Sequence, residues 1–208
     1  MGPPRLDGGR LCLDFANTVG GRADPQPREF LTSYPVLIAW AWYTGALSDA
    51  DAEHLRQLAA DRPDEAAAEH RNALTLRDTI YRLFADIARG QDPATRDLDA
   101  VYRIYRSGLD HARIRRQDRG YAWEWTETGS ELDRPLWPVA WSAVELLTSG
   151  ELDRLKMCHG NDGASCFWLF LDETKNRIRR WCNMRVCGTG AKARRQTARR
   201  RAARAGSA

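Results

Sequence analysis

Apolar and polar positions alternate along this chain with a mostly helical rhythm. LCLDFANTV, from Leu11, has enough alternation to begin a strand or a short buried segment, and ordered structure is expected to start there, after a loose Pro- and Gly-rich opening. Residues 31–44 form an apolar run closed by Gly45, and Ser48 is placed to cap a helix running to about Ala60. Asp64 is placed to cap the next helix. There Ala68, Leu74, Leu76, Ile80, Leu83, Phe84 and Ile87 recur at helical intervals until Gly90. From Ala94 to His111 the positions Leu98, Val101, Tyr102, Ile104, Tyr105 and Leu109 repeat in the same way, predicting a helix packed on its predecessor. The period then changes. Ile114, Tyr121, Trp123 and Trp125 alternate with polar residues around Asp118, Arg119 and Gly120, the pattern of a β-hairpin. Pro135 and Pro138 open a last apolar helix that Gly150 ends.

The chain has 208 residues, 43% of them hydrophobic, enough for one ordinary core with a small appended module. No stretch approaches the roughly 18–20 apolar residues that span a bilayer, and the N-terminus lacks a signal-like apolar region, so a cytoplasmic protein without membrane contact is expected. No phosphate loop or nucleophile motif is present, and a non-enzymatic role is expected. Histidines 54, 70 and 111 have no partner at metal-ligand spacing.

Charge divides the chain in two. All 28 acidic residues lie at or before Glu173, whereas residues 174–208 carry twelve basic residues and no acid. Such asymmetry marks a nucleic-acid-binding segment or a solvated basic tail. The cysteines favour the first. Cys12 stands alone, but Cys158, Cys166, Cys182 and Cys187 crowd into a single short segment that runs into this region, with the spacing C-x7-C-x15-C-x4-C. Four thiolates complete a tetrahedron around one zinc and leave no open position, so the expected cofactor is a single structural Zn2+, with His159 as a competing ligand that the tetrahedron does not need.

Around these ligands, WLFLDETKNRIRRWCNMRVCGTGAKARR resembles the CGNR zinc finger, and LCLDFANT, LTSYPVLIAWA and LDRPLWPVAWSAVELLTS resemble the helical ABATE-like domain that accompanies it in predicted bacterial stress-related transcription regulators. The resemblance covers nearly the whole chain and implies that the four cysteines hold zinc and that the Arg/Lys-rich segment binds double-stranded DNA. It departs from the pattern at the eponymous motif, which reads Cys187-Gly188-Thr189-Gly190, and in the loop between the first two cysteines.

The fold expected is mainly α with a small β-hairpin. A helical N-terminal domain over 1–150, for sensing or oligomerisation, precedes a four-cysteine zinc-binding module with a basic helix over 151–208. Gly188 and Gly190 suit a tight turn with positive φ, after which a helix begins near Ala191. Candidate nucleic-acid contacts are Arg177, Arg179, Arg180, Lys192, Arg194, Arg195, Arg199 and Arg200, with Arg201 and Arg204 beside them. Few aromatics stand in the basic segment, which favours duplex DNA over single-stranded RNA; an RNA or an acidic protein surface is the alternative partner. Further partners expected are RNA polymerase, a small-molecule effector and a second copy in a homodimer. Asp14, Asn17, Arg134 and Trp137 could line an effector pocket. In the competing structural reading Asp14 caps backbone amides or pairs with Arg134, and the aromatics fill core.

Overall fold

The structure, a computed structural model, describes residues 3–125, 131–160, 166–194 and 196–197. Six helices make up its body: α1 (Leu11–Ala16), α2 (Tyr34–Tyr43), α3 (Asp49–Asp61), α4 (Pro63–Ala88), α5 (Thr95–Leu109) and α6 (Trp137–Thr148). Three two-stranded antiparallel sheets accompany them: β1 (Val19–Gly20) with β2 (Arg28–Glu29), β3 (Ala112–Gln117) with β4 (Gly120–Trp125), and β5 (Leu155–Met157) with β6 (Leu169–Leu171).

The capping signals explain where the long helices begin and end. Ser48 accepts a hydrogen bond from the Asp51 amide while the Asp51 carboxylate accepts from the Ser48 amide, a reciprocal box that holds the start of α3. α4 starts two residues earlier than its sequence suggests, with Arg62 and not Asp64 at the cap position: Pro63 occupies the first turn, where its missing N–H costs nothing, and Asp64 and Glu65 face the positive end of the helix dipole. Gly90, at φ 74°, closes α4 and lets the chain reverse into α5, and the Arg82–Asp97 ion pair at 2.8 Å ties the two helices near this turn. α5 and α6 meet where Gly108 lies under Trp137; a Cβ there would sit 2.9 Å from that of Trp137.

Two expectations for the N-terminal region are corrected. LCLDFA is the helix α1 and not a strand, while the alternative of a short buried segment holds, with Cys12 to Ala16 all buried between α4 and α6. Burial on every side leaves no polar face, so the sequence pattern carries no period with which to separate helix from strand. Residues 3–10 are also not loose. The Gly8 carbonyl accepts from the Leu171 amide at 2.9 Å, Arg5 lies over the Trp168 ring, and Arg10 pairs with Glu151 and Glu173, so this opening segment is a strap across the C-terminal module.

The β5–β6 ribbon is buried on both faces. Leu155, Leu169 and Leu171 belong to the core of the helical body, while Phe170 belongs to a second, smaller core with Cys158, Trp168, Cys182 and Cys187. Period-2 alternation in β6 thus sends successive side chains into two different cores.

Candidate metal centre

Each cysteine of the cluster is placed by a different local element. Cys158 directly follows β5, and its amide donates to the Trp168 carbonyl at 2.8 Å. Cys166 precedes β6, and Cys182 ends the basic loop. Cys187 lies in a π-helical turn, Met184–Gly188, capped by Asn183, whose Oδ1 accepts from the Arg185 and Val186 amides. The Asn183 Nδ2 donates in turn to Asp7 of the strap at 2.9 Å. All four Sγ atoms lie within 4.8 Å of one another, with Cys166–Cys182 at 3.6 Å and Cys182–Cys187 at 3.8 Å. Tetrahedral zinc with Zn–S near 2.3 Å requires sulfurs about 3.8 Å apart, whereas a disulfide requires about 2.05 Å, so the spacing fits metal and not oxidation.

Electrostatics point the same way. Hydrogen bonds from the thiols of Cys166, Cys182 and Cys187 favour ionisation at Cys158, and the same contacts with Cys158, Cys166 and Cys187 push the Cys182 thiol up. One thiolate is readily held by its neighbours, and four together require a cation. The Gly160 amide donates to the Cys158 sulfur at 3.4 Å, and the Arg5 guanidinium feels the field of Cys182 and Cys187. His159 is exposed and outside the cluster. The residues present thus form a closed site for one structural zinc.

The basic loop before Cys182 is organised by a residue that the sequence pattern does not mark. Asp172, fully buried, accepts from Lys156 Nζ at 2.6 Å, Thr174 Oγ1 at 2.5 Å, the Thr174 amide at 3.1 Å and the Arg179 amide at 2.8 Å. Burial alone would push this carboxyl up, but these donors outweigh it and hold it well below the usual carboxylate range. Lys156 also bonds the Arg177 carbonyl, and Arg177 turns the chain at φ 50°.

The candidate basic residues separate accordingly. Arg179 turns inward: its guanidinium bonds the carbonyls of Trp181, Cys182 and Leu171 and lies over the Phe170 ring, so its charge braces the finger. Arg177 is exposed and paired with Asp153. Arg180, Arg185, Lys192 and Arg194 are exposed. Of these, Arg185 stands in the π-helical turn and joins the candidate set; as a single arginine between two cysteines it lacks the basic neighbours that mark the others in the sequence. Arg195, Arg199, Arg200, Arg201 and Arg204 lie outside the described residues. The helical run begins at 189, directly after the π-helical turn and two residues before the expected start. Gly188 does not have positive φ; it is needed for space, since a Cβ would meet Met184 Sδ at 2.3 Å and Trp181 at 3.4 Å.

The four polar candidates of the body are placed in separate interactions. Asp14 Oδ1 accepts from the Gly8 amide at 2.8 Å, and burial raises its pKa to about 6. Asn17 bonds Leu169 of β6. Arg134 pairs with Asp51 at 3.2 Å and lies over Trp125 and Trp137; its Nη1 has no hydrogen-bond partner among the described residues. Trp137 stacks on His111 and donates to Asp133.

Among the described residues, no helix is long and apolar enough to cross a membrane. No curated protein matches the chain. Two family models do: residues 154–200 match the CGNR zinc finger, and residues 9–150 match ABATE, described as "Putative stress-induced transcription regulator". The four-cysteine centre is therefore that of a CGNR zinc finger, and the chain belongs to the ABATE family.

Proposed function

We propose that the chain is a DNA-binding transcription regulator of the bacterial cytoplasm, in which the zinc finger docks on duplex DNA and the helical body adjusts that docking in response to a small molecule. The observation that carries this reading is the π-helical turn: it holds Cys187 on the metal and leads without a break into the basic helical run, so zinc orients that run's first turn. Arg180, Arg185 and Lys192 supply phosphate contacts. Exposed Ile178, Met184 and Val186 between them suit apolar contact with thymine methyl groups. Trp168 and Phe170 are consumed by the finger's core, which leaves few rings for stacking single-stranded bases and favours duplex DNA over RNA.

Fluorescence anisotropy on genomic fragments across a salt series tests this. Affinity for duplex DNA should fall steeply with salt, and each of Arg180→Ala, Arg185→Ala and Lys192→Ala should lower the slope of log K against log salt by about 0.9. Binding no stronger than to a random polyanion, or selective retention of RNA, would sink the proposal.

A further inference from the structure

The β3–β4 hairpin projects from the end of α5 and presents its two faces very differently. The register pairs Ala112 with Trp125, Ile114 with Trp123 and Arg116 with Tyr121 on one face, and Arg113 with Glu124 and Arg115 with Ala122 on the other. The first face begins against the body, where Trp125 and Trp123 pack on Trp141 at 5.8 and 4.8 Å. It then runs out into solvent with Trp123 49%, Ile114 64% and Tyr121 74% exposed, and through Trp141 and Tyr105 it continues to exposed Tyr102 of α5. A contiguous exposed apolar surface of this kind marks an interaction site.

A two-stranded sheet has two open edges, and folded proteins normally guard such edges with charge. Here only β3 is guarded, by Arg113, Arg115 and Arg116. β4 reads Gly-Tyr-Ala-Trp-Glu-Trp, and its outer edge has no ladder partner among the described residues. If β3 paired antiparallel with itself in its central registers, guanidinium would oppose guanidinium, which is unfavourable. β4 has no such conflict. A twofold axis through Trp123 sets Trp123 against its own copy and Tyr121 against Trp125 on the apolar face, and Glu124 against Ala122 on the other.

We propose that β4 is the pairing edge of a homodimer, in which two hairpins join through β4 into a four-stranded antiparallel sheet with one continuous aromatic face. Charge selects a second copy as the occupant: the lone acid of β4 meets alanine, and the arginines remain on the outer edges. The metal centre stays free in this assembly. The end of α4 near Gly90 reaches the C-terminal module, where Arg89 contacts Met157 and Tyr81 donates to the Phe167 carbonyl. α5 then runs back from that end, so the hairpin leaves about 20 Å away from it.

Sedimentation equilibrium of the zinc-loaded full chain over about 1–100 μM tests the pairing, a range suited to a small interface. The native chain should populate a dimer, and Trp123→Arg should abolish it. Ala122→Glu is the sharper variant. Within one chain the new carboxylate faces Arg115, which already pairs with Glu124 and can bridge both acids, but across the twofold it faces Glu124 twice, so the dimer should weaken by about twofold to thirtyfold. Adding Glu124→Lys to Ala122→Glu should restore it. A native chain that stays monomeric throughout, or a dimer indifferent to Ala122→Glu, would overturn the proposal.

Discussion

The side-chain amide of Asn17 pairs with both backbone groups of Leu169: Nδ2 donates to the carbonyl at 2.8 Å and Oδ1 accepts from the amide at 2.9 Å, across 152 residues of sequence. Asn17 thus acts as a one-residue strand beside β6 and satisfies a buried edge that would otherwise be unpaired. Asn17→Ala strands both groups and is expected to cost about 2–4 kcal/mol in denaturant melts. Asn17→Asp keeps the acceptor but turns a carboxylate oxygen towards the Leu169 carbonyl. Its defect should be worse at neutral pH and partly recover on acidification, when the protonated acid regains a donor.

Asp172 makes a complementary prediction inside the finger. Asp172→Ala leaves Lys156 and two backbone amides without their acceptor, and a loss of about 2–4 kcal/mol is expected. Hydrogen exchange should locate it at residues 171–182 before the helices of the body respond. The native carboxyl has its pKa depressed by folding, so the stability it contributes is present above its unfolded value and disappears as pH falls through the folded one.

Asp14 behaves in the opposite sense. Its folded pKa of about 6 exceeds the ordinary carboxyl value, so the folded chain holds this proton more tightly than the unfolded chain does. Its contribution to stability is greatest below about pH 4 and declines as pH rises to about 6. Asp14→Asn keeps an acceptor for the Gly8 amide and removes the titration. The variant should be more stable than the native chain at pH 7, by on the order of 2–3 kcal/mol, with the difference vanishing near pH 4.

Metal analysis should find one zinc per chain, lost in Cys182→Ser. Four-thiolate zinc sites contribute on the order of 10 kcal/mol to folding, so chelation should unfold the module. The thermal transition of the helical body should also fall, because Leu169 and Leu171 of the same ribbon belong to the body's core.

Much of this architecture is legible in the sequence. α3 to α6 carry amphipathic or capped patterns, Ser48 and Gly90 act where local chemistry requires, and the β3–β4 turn follows its alternation. The four cysteines were legible for a different reason, since metal ligation leaves its signature in residue type and spacing. What escaped depends on burial and distance. The sequence lets Asp14 be read as a cap on backbone amides, as it is, or as a pocket residue with Asn17, because a polar side chain in an apolar run gives no hint of which remote backbone it serves. Arg179 looked like its neighbours, and only the fold shows that its guanidinium faces inward. Asp172 sits in an ordinary acidic doublet, and its donors arrive from Lys156, Thr174 and the Arg179 amide of the loop that leads to Cys182.

The ribbon that feeds two cores also limits how this protein can move. A finger joined by a flexible tether would search freely and forget the state of its body, but here any swivel would tear Leu169 and Leu171 from one core or Phe170 from the other. The finger is mounted like a bit on a shaft, and the ribbon that carries it fixes its angle to the helices.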